Sequence, residues 1–332
     1  MTFTYVSTFS GIGGFETGFN QMGWTNQLMV EIDPHCQRVL AAHFPDVPLE
    51  GDIRDVAGTT LNRPDLVCGG FPCQDTSVAA PDRAGLAGSR SGLFWEFHRL
   101  LDEHLRLVDA ARPRWVVIEN PEGLLTSPGR ERAGWDMAAV ARGLEDLGYG
   151  WAYRVVDGGR LGTTQRRRRV IVVGHRGGDP RPAWEVLGDD GAGAQVGGAR
   201  GIGRATTGPR PVAGTHGPDG VMVWRKSARA RASLAAGGYE TWVPAEHGNT
   251  LTGFDGGGPM RQTHLIAQQG RLRTLTLTEW ERMQGFPDGW TAGMPDSARY
   301  QALGNAIHTG TAAWLARRLD YVHHQVPQLS LV

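Results

Sequence analysis

The hydrophobic pattern in the first half of the chain alternates short apolar runs with amphipathic segments. Thr4 to Phe9 alternates and leads into glycines, after which Phe15, Phe19 and Met22 recur at helical spacing. Further strand-like runs lie at 27–32, 65–68, 114–118, 151–156 and 169–173, and helical patterns lie at 34–44, 93–107 and 133–147. This alternation predicts a doubly wound, mostly parallel α/β sheet.

The pattern changes from about residue 176, where glycine and proline become dense and periodicity fades. Strand-like runs at 221–224, 242–243 and 264–267 favour a small β-rich module over a structureless linker. Helical pattern resumes at Thr278–Met283, where Thr278 and Glu281 have the spacing of a capping box, and a last helix is predicted over Thr309–Val322.

The composition of the chain limits the classes of protein to which it can belong. The chain has 332 residues, 40% of them hydrophobic, so it can bury a full core. Its 34 basic residues balance its 34 acidic residues, so any binding to nucleic acid must come from local patches, such as the arginines of the irregular segment. Three cysteines, no run of 18 apolar residues and a first strand at Thr4 predict a cytoplasmic protein without disulfides or a membrane span.

One cysteine follows a predicted strand end. Gly69-Gly70-Phe71-Pro72-Cys73-Gln74 comes after the apolar run Asp65–Cys68. The glycines allow a sharp turn and Pro72 fixes φ beside the thiol, which places Cys73 at the carboxyl end of a strand, where α/β sheets bind ligands. A buried structural cysteine is an equal alternative for this residue taken alone.

Charged residues lie at two other strand ends. Glu119 ends the run 114–118, and a thiolate with a carboxyl group suits conjugate addition to a ring whose nitrogen is protonated as sulfur attacks. A buried structural acid is the alternative. Strand alternation puts Arg167 and Arg169 on one face with Gln165, where two guanidinium groups could reach one site, although a solvated charged face is the default interpretation.

The first strand leads into a segment suited to a nucleotide-like cofactor. Phe9-Ser10-Gly11-Ile12-Gly13-Gly14 permits close approach of a ligand to the following helix, and Glu31 lies 20 residues after Gly11, where a carboxylate accepts ribose hydroxyls. Asp52 could accept from an adenine amino group while Ile53 packs on the ring. A turn-stabilising aspartate is an equal alternative.

Together these motifs resemble one family. In chain order they are Phe9 to Phe15, Glu31 to Asp33, Gly51 to Ile53, Gly70 to Asp75, Glu119-Asn120, Gln165 to Val170, Glu281 to Pro287 and Gly304 to Ile307. This is the order expected of DNA (cytosine-5) methyltransferases. The resemblance covers residues 1–175 and about 273–320, and residues 176–272 occupy the place of the family's variable target-recognition domain.

The resemblance implies a mechanism and a set of site residues. Cys73 would add to C6 of a flipped cytosine in double-stranded DNA, Glu119 would hydrogen-bond the exocyclic amine and N3, and Arg169 would contact O2. S-adenosylmethionine would supply the methyl group, and no metal is implied. Further catalytic-site positions are Pro72, Gln74, Asn120 and Arg167. Donor-pocket positions are Phe9, Gly11, Ile12, Gly13, Gly14, Glu31, Ile32, Asp52, Ile53, Leu93, Asn305 and Ala306.

The resemblance also implies a Rossmann-like methyltransferase domain made of residues 1–175 plus 273–332, interrupted by a target-recognition domain at 176–272. A monomer is expected, with a cognate restriction endonuclease as a partner. The chain departs from the family at Pro121, where valine is usual, at Leu161–Thr164 and at Thr76. No departure removes a reacting group.

Two alternatives remain at this stage. The first is methylation of tRNA, which the long insertion after residue 175 disfavours. The second is a non-enzymatic DNA-binding regulator, which the intact Cys73, Glu119 and Arg169 disfavour.

Overall fold

The structure is a computed structural model. It describes residues 2–72, 92–127, 133–161, 165, 167–188, 195–196, 222–226, 242–244, 250–251, 264–268 and 271–325. The chain divides into two compact units. The first contains the described parts of residues 1–156, 168–208 and 311–332, and the second those of 157–167 and 209–310.

An eight-stranded sheet forms the centre of the first unit. Its strands are β1 (Thr4–Thr8), β2 (Thr25–Val30), β3 (Leu49–Glu50), β4 (Leu66–Gly69), β5 (Trp115–Pro121), β6 (Tyr149–Asp157), β7 (Arg168–Arg176) and β8 (Gln195–Val196). Their order is β3-β2-β1-β4-β5-β7-β6-β8. The pairs from β3 to β5 are parallel, whereas β5–β7 and β6–β8 are antiparallel. The predicted mostly parallel α/β sheet is therefore confirmed.

Helices connect and cover these strands. In the first unit they are α1 (Gly14–Phe19), α2 (Pro34–His43), α3 (Leu93–Leu107), α4 (Trp135–Asp146) and α5 (Arg181–Leu187). Helix α8 (Thr309–Gln325) belongs to this unit from residue 311 onward. No helix in the described ranges is long and apolar enough to cross a membrane.

The central strands are buried on both faces, which explains their continuous apolar runs. Residues 66–69 of β4 and 115–120 of β5 are all buried. Helix α3 packs its apolar stripe here because Phe94, Phe97 and Leu101 recur at helical spacing, and each is at most 1% exposed. The core therefore holds β4 and β5 rigidly up to their ends.

The last helix closes the first unit against its earliest elements. The indole Nε1 of Trp24 donates to Asp320 Oδ1 at 3.4 Å, and that of Trp115 donates to His323 Nδ1 at 3.1 Å. Phe3 stacks on Trp24 with ring centroids 4.1 Å apart and meets the His323 ring edge-on at 4.9 Å. Residues far apart in the chain thus share one apolar cluster.

The second unit contains the predicted β-rich module. Its strands β9 (Met222–Lys226), β10 (Trp242–Pro244), β11 (His264–Gln268) and β12 (Arg271–Arg273) form an antiparallel sheet in the order β10-β9-β11-β12. Helices α6 (Leu277–Met283) and α7 (Asp296–Asn305) follow. Residues 273–310 lie in this unit, and the predicted domain boundaries at 175 and 273 remain a prediction.

The predicted capping box at the start of α6 was wrong by two residues. Thr276 caps the helix and accepts from Glu279 N at 3.2 Å, while Glu279 Oε2 accepts from Thr276 N at 2.8 Å. Glu281, which has the same spacing from Thr278, is instead fully buried and accepts from a later turn. Both pairs have the capping-box spacing, and tertiary contacts decide between them.

Candidate active site

The ends of β4, β5 and β7 meet at one edge of the sheet. Gly69, the last residue of β4, pairs with Ile118, and β5 continues for three more residues, which pair only with β7 in the register Glu119–Ile171, Asn120–Val170 and Pro121–Arg169. The apolar run predicts an end at Ile118, so the observed strand is three residues longer than expected. Glu119 therefore lies just beyond the end of the parallel neighbour, on a rigid strand rather than in a loop.

Gly70 approaches this acid closely enough that a side chain there would crowd it. A Cβ at Gly70 would lie 3.1 Å from Glu119 Oε2 and 3.2 Å from the Glu119 carbonyl oxygen. Phe71, 3% exposed, then packs against Phe94 with ring centroids 5.5 Å apart. This segment brings the backbone of Gly70 beside the carboxyl group before Pro72.

Glu119 and Arg169 form an ion pair at this edge. Arg169 Nε lies 2.9 Å from Glu119 Oε1, and the side chains are 14% and 9% exposed, respectively. The N–H direction falls outside hydrogen-bond geometry, so Oε1 has no hydrogen-bond partner among the described residues. The pair thus combines a shielded charge with unused acceptor capacity. Asn120, the next residue, is fully buried.

The nucleophile predicted from sequence falls outside the described residues. Cys73 and Gln74 lie within 73–91, and the chain is described up to the half-buried Pro72. Leu93 begins α3 and packs against the core. Of the departures from the family, Pro121 ends β5, whereas Thr76 and residues 162–164 are also outside the described ranges.

The predicted cofactor segment forms a tight loop at residues 9–13, here called the glycine loop. Phe9, Gly11 and Gly13 have φ angles of 54°, 57° and 86°. A Cβ at Gly13 would lie 2.7 Å from the Phe44 ring, so only glycine fits there. A left-handed phenylalanine is uncommon, and such residues cluster at functional sites. Gly14 begins α1, and Ile12 is fully buried.

Glu31 holds the glycine loop from the end of β2. Its Oε2 accepts from Gly11 N at 2.7 Å and its Oε1 from Asp33 N at 2.8 Å. Burial raises the pKa of this carboxyl group, although both backbone donors act to lower it. Ile32, the next residue, is 62% exposed, which is unusual for isoleucine and leaves an apolar surface beside the acid.

Asp52 has a local structural role in the described state. It caps a short 3₁₀ helix, Ile53–Asp55, by accepting from Arg54 N at 3.0 Å, and it pairs with the Arg54 guanidinium group. These hydrogen bonds lower the pKa of Asp52. The turn-stabilising role is thus present, and a contact with adenine remains a prediction. Ile53 is 3% exposed.

Arg167 and Arg169 have different partners among the described residues, and a shared catalytic site for the two arginines stays a prediction. That expectation assumed a strand from Gln165, whereas β7 begins at Arg168. The buried Arg167 guanidinium donates to the carbonyl oxygens of Leu251 at 3.1 Å, Gly304 at 3.0 Å and Ala306 at 2.6 Å. Within the second unit it therefore binds the end of α7, next to the exposed Asn305.

Gln165 has a related role in the same unit. Its Nε2 donates to the Met283 carbonyl oxygen at 2.9 Å and to Gln284 Oε1 at 3.0 Å, and its Oε1 accepts from Leu251 N at 3.1 Å. Gln284 in turn donates to the Leu303 carbonyl oxygen. The motifs at 165–170, 281–287 and 304–307 are thus joined by side-chain amides and one guanidinium group.

Sequence reasoning missed one buried acid below the glycine loop. Glu16 on α1 is 0% exposed and accepts from the Ser7 hydroxyl, and Ser7 Oγ lies 2.7 Å from Ser10 Oγ in the loop. Burial raises the pKa of Glu16 to about 7. The signal in the sequence is an acid on the apolar face of a helix, two residues after the last glycine.

The sheet, the glycine loop and the acid at the end of β2 are typical of α/β enzymes that bind nucleotide cofactors. The sequence model of C-5 cytosine-specific DNA methylases matches residues 3–186 and 222–320. The chain belongs to this family and is a DNA cytosine methyltransferase, which confirms the resemblance read from its motifs.

Individual relatives agree with this assignment. The chain is 32% identical over 324 residues to the Type II methyltransferase M2.BsuMI of Bacillus subtilis, covering 95% of this chain and 75% of that protein. It is 25% identical over 386 residues to the Type II methyltransferase M.Sau3AI of Staphylococcus aureus, covering 91% and 92%, respectively.

Solved structures match the fold. A DNMT2 mutant of Spodoptera frugiperda superposes with a TM-score of 0.64 at 14% identity, covering 96% of this chain and all of that one. The Entamoeba histolytica methyltransferase EhMeth gives a TM-score of 0.61 at 14% identity, covering 96% and 98%. At such identity the likeness supports the fold alone.

Proposed function

We propose that this chain methylates C5 of cytosine at a specific sequence in double-stranded DNA through a covalent adduct between Cys73 and C6 of a flipped base. The observation that supports this most is the shielded ion pair of Glu119 and Arg169, next to the segment that leads to Cys73. An acceptor carboxylate and a fixed guanidinium group at one strand end suit the amine edge and the O2 atom of cytosine.

The chemistry requires these groups because cytosine is a poor electrophile. As the Cys73 thiolate forms the S–C6 bond, the electrons of the C5=C6 bond move into the ring, and contacts at N3 and O2 stabilise the charge that develops. The protonated carboxyl group of Glu119 would donate its proton to N3 as sulfur attacks and accept a hydrogen bond from the exocyclic amine, and Arg169 would donate to O2. C5 thereby becomes nucleophilic. After methylation the C5 proton passes to solvent, the S–C6 bond breaks to release the thiolate, and N3 returns its proton to Glu119, which restores the aromatic ring.

S-adenosylmethionine would occupy the glycine loop and supply an electrophilic methyl group. The residues present fit it: Glu31 lies where ribose hydroxyls are bound, Ile32 leaves an apolar surface beside it, and left-handed Phe9 and Gly11 expose the backbone. Asp52 and Ile53 would contact the adenine. A role for Leu93, Asn305 and Ala306 in donor binding stays a prediction from the resemblance.

Double-stranded DNA would present its target base by flipping, because C6 is inaccessible in a stacked duplex. Residues 176–272, which include strands β9 to β11, are proposed to recognise the target sequence, and residues 1–175 with 273–332 to carry out the reaction. The relatives are named as Type II methyltransferases, which supports a cognate restriction endonuclease as a partner.

Transfer of a labelled methyl group to duplex DNA tests this function. We expect transfer by the unchanged chain and a loss of at least about 10³-fold in Cys73→Ala, since removal of a nucleophile eliminates the covalent route. Cys36→Ala is the matched control, because this thiol is buried in α2 and burial raises its pKa. A 5-fluorocytosine duplex should form a stable adduct with the unchanged chain, since fluorine cannot leave as the C5 proton does.

Two results would contradict the proposal. Equal transfer by Cys73→Ala would exclude the covalent route. Transfer to tRNA but to no cytosine-containing duplex would assign the same chemistry to a different substrate.

A further inference from the structure

Two acids lie on either side of the glycine loop without a cationic partner. Glu31 accepts from the backbone N–H groups of Gly11 and Asp33, and Glu16 accepts from the Ser7 hydroxyl. In the described part of the chain neither acid forms an ion pair, and Glu16 Oε2 has no hydrogen-bond partner. The loop is therefore built around carboxyl groups whose charge is offset by dipoles alone.

The surroundings of Glu16 make its ionised form costly. Its side chain is 0% exposed, and the titratable groups that face it are Tyr5 on β1, Cys68 on β4 and Glu31 at the end of β2. Each of these is neutral or acidic near neutral pH, so none compensates a negative charge. A cation held in the glycine loop would provide that compensation.

A chain of hydroxyl groups connects Glu16 to the loop. Ser7 lies between Glu16 and Ser10, with 2.7 Å between the two serine Oγ atoms, and Ser10 N donates to the Val30 carbonyl oxygen at 3.1 Å. Ionised Glu16 can only accept, so Ser7 donates to it, and the Ser10 hydroxyl can then donate to Ser7 Oγ or to the Ser7 carbonyl oxygen, which lies 3.3 Å away. Protonated Glu16 can donate to Ser7, which allows both hydroxyls to reverse. The charge of Glu16 thus affects the direction in which the Ser7 and Ser10 hydroxyl groups donate.

We propose that Glu16 is a positioning residue that senses the charge of the methyl donor. Binding of the sulfonium cation releases the Glu16 proton to solvent and aligns the Ser7 and Ser10 hydroxyls. Once the methyl group has been transferred, the neutral thioether product no longer compensates the carboxylate, and the proton returns from solvent. This inference rests on the proposed function, because it requires the glycine loop to hold S-adenosylmethionine.

Calorimetry of binding in two buffers with different ionisation enthalpies measures this proton directly. S-adenosylmethionine and S-adenosylhomocysteine carry the same α-amino and carboxylate groups and differ in the sulfonium charge. At pH 7 we expect the unchanged chain to release about 0.4 proton more with the methyl donor than with the product, for a one-unit decrease from a Glu16 pKa of about 7. Equal proton release with the two ligands would overturn the inference.

Glu16→Gln assigns the proton to this residue. The variant should lose the extra release and lower the preference for donor over product by about fivefold at pH 7, the effect of a one-unit pKa change on a group whose pKa is about 7. Glu145→Gln is the matched control, because Glu145 is an exposed acid of the same unit, and it should behave as the unchanged chain. Extra release that persists in Glu16→Gln would overturn the inference.

The comparison of two ligands on the unchanged chain does not require a folded variant, so the inference stays testable if Glu16→Gln does not fold. Failure of the unchanged chain to bind either ligand would overturn the proposed donor site and this inference with it. Binding with equal proton release would overturn this inference alone.

Discussion

Glu16 in the first unit and Glu281 in the second are both fully buried acids, yet their environments differ. Glu281 accepts from Gly289 N at 2.7 Å, Thr291 N at 2.8 Å, Thr291 Oγ1 at 2.6 Å and Arg299 Nη2 at 3.0 Å. Glu16 has the Ser7 hydroxyl and one oxygen without a partner among the described residues.

The same burial therefore has opposite consequences for ionisation. Burial is the largest single effect on both acids, and at both it acts to raise the pKa. At Glu281 the hydrogen bonds from Thr291, Arg299 and Gly289 together outweigh burial, and its pKa is lowered. An acid that stabilises a fold therefore differs from one that can respond to a ligand in its hydrogen-bond donors rather than in its burial.

The largest effect is expected from Glu281→Gln. The change leaves the 16% exposed Arg299 without its buried carboxylate and removes a charge that receives four hydrogen bonds. We expect a loss of about 4 kcal/mol in the free energy of unfolding, measured with urea. A matched change at the exposed Asp288, Asp288→Asn, breaks only a surface ion pair with Arg282 and should cost far less stability. A small loss at Glu281 would show that its hydrogen bonds do not stabilise the unit.

The pH dependence of stability tests the same difference between Glu281 and Glu16. Because the pKa of Glu281 is lowered in the folded state, its contribution is complete above the ordinary value of 4.5 and is lost as the pH falls through the lowered value. Thermal unfolding followed from pH 6 to pH 3 should therefore show a shallower acid decline in Glu281→Gln. An unchanged decline would place the acid-sensitive group elsewhere.

Glu16→Gln should change the stability of the fold in the opposite direction. The raised pKa means that Glu16 favours the folded state fully below 4.5 and loses that contribution as the pH rises to about 7, a change of about 3 kcal/mol at most. The variant should therefore be more stable than the unchanged chain at pH 8 and lose this advantage at pH 5. Melting temperatures at both pH values test this. Destabilisation at pH 8 would show that the carboxylate is satisfied.

The smallest effect is expected from Thr276→Ala. This substitution removes the side-chain cap of α6 and leaves Glu279 paired with Arg273 at 2.8 Å. We expect a loss of about 1 kcal/mol in the free energy of unfolding, measured with urea. Thr278→Ala, at the position first predicted to cap this helix, is the control. A larger loss at Thr278 would restore the original prediction.

Local patterns predicted most of the fold. Apolar runs identified β1, β2, β4 to β7 and the β-rich module, and α3 was predicted with its observed ends, because burial on both faces leaves a strong signal. The short strands β8 and β12 and the helices α5 and α7 were not predicted. Two- and three-residue strands depend on their neighbours for hydrogen bonds, which no local pattern records.

The residues of the candidate site were predictable from the sequence, but their contacts with one another were not. Glu119 and Arg169 were selected singly, yet their pairing depends on the antiparallel register of β5 and β7. The separate role of Arg167 depends on carbonyl groups more than 80 residues away in the chain. Glu16 belongs to no motif that was recognised in the sequence. It was identified only from the structure, where one of its buried oxygens has no hydrogen-bond partner among the described residues.

The contacts of α8 with Trp24 and Trp115 bear on how the chain folds during synthesis. The second unit ends at Gly310, whereas the first requires Asp320 and His323 to complete the cluster around Phe3 and Trp24. Because domains fold as they leave the ribosome, the unit that begins first finishes last. Its early strands must wait, with apolar surface uncovered, until the interrupting unit has been made.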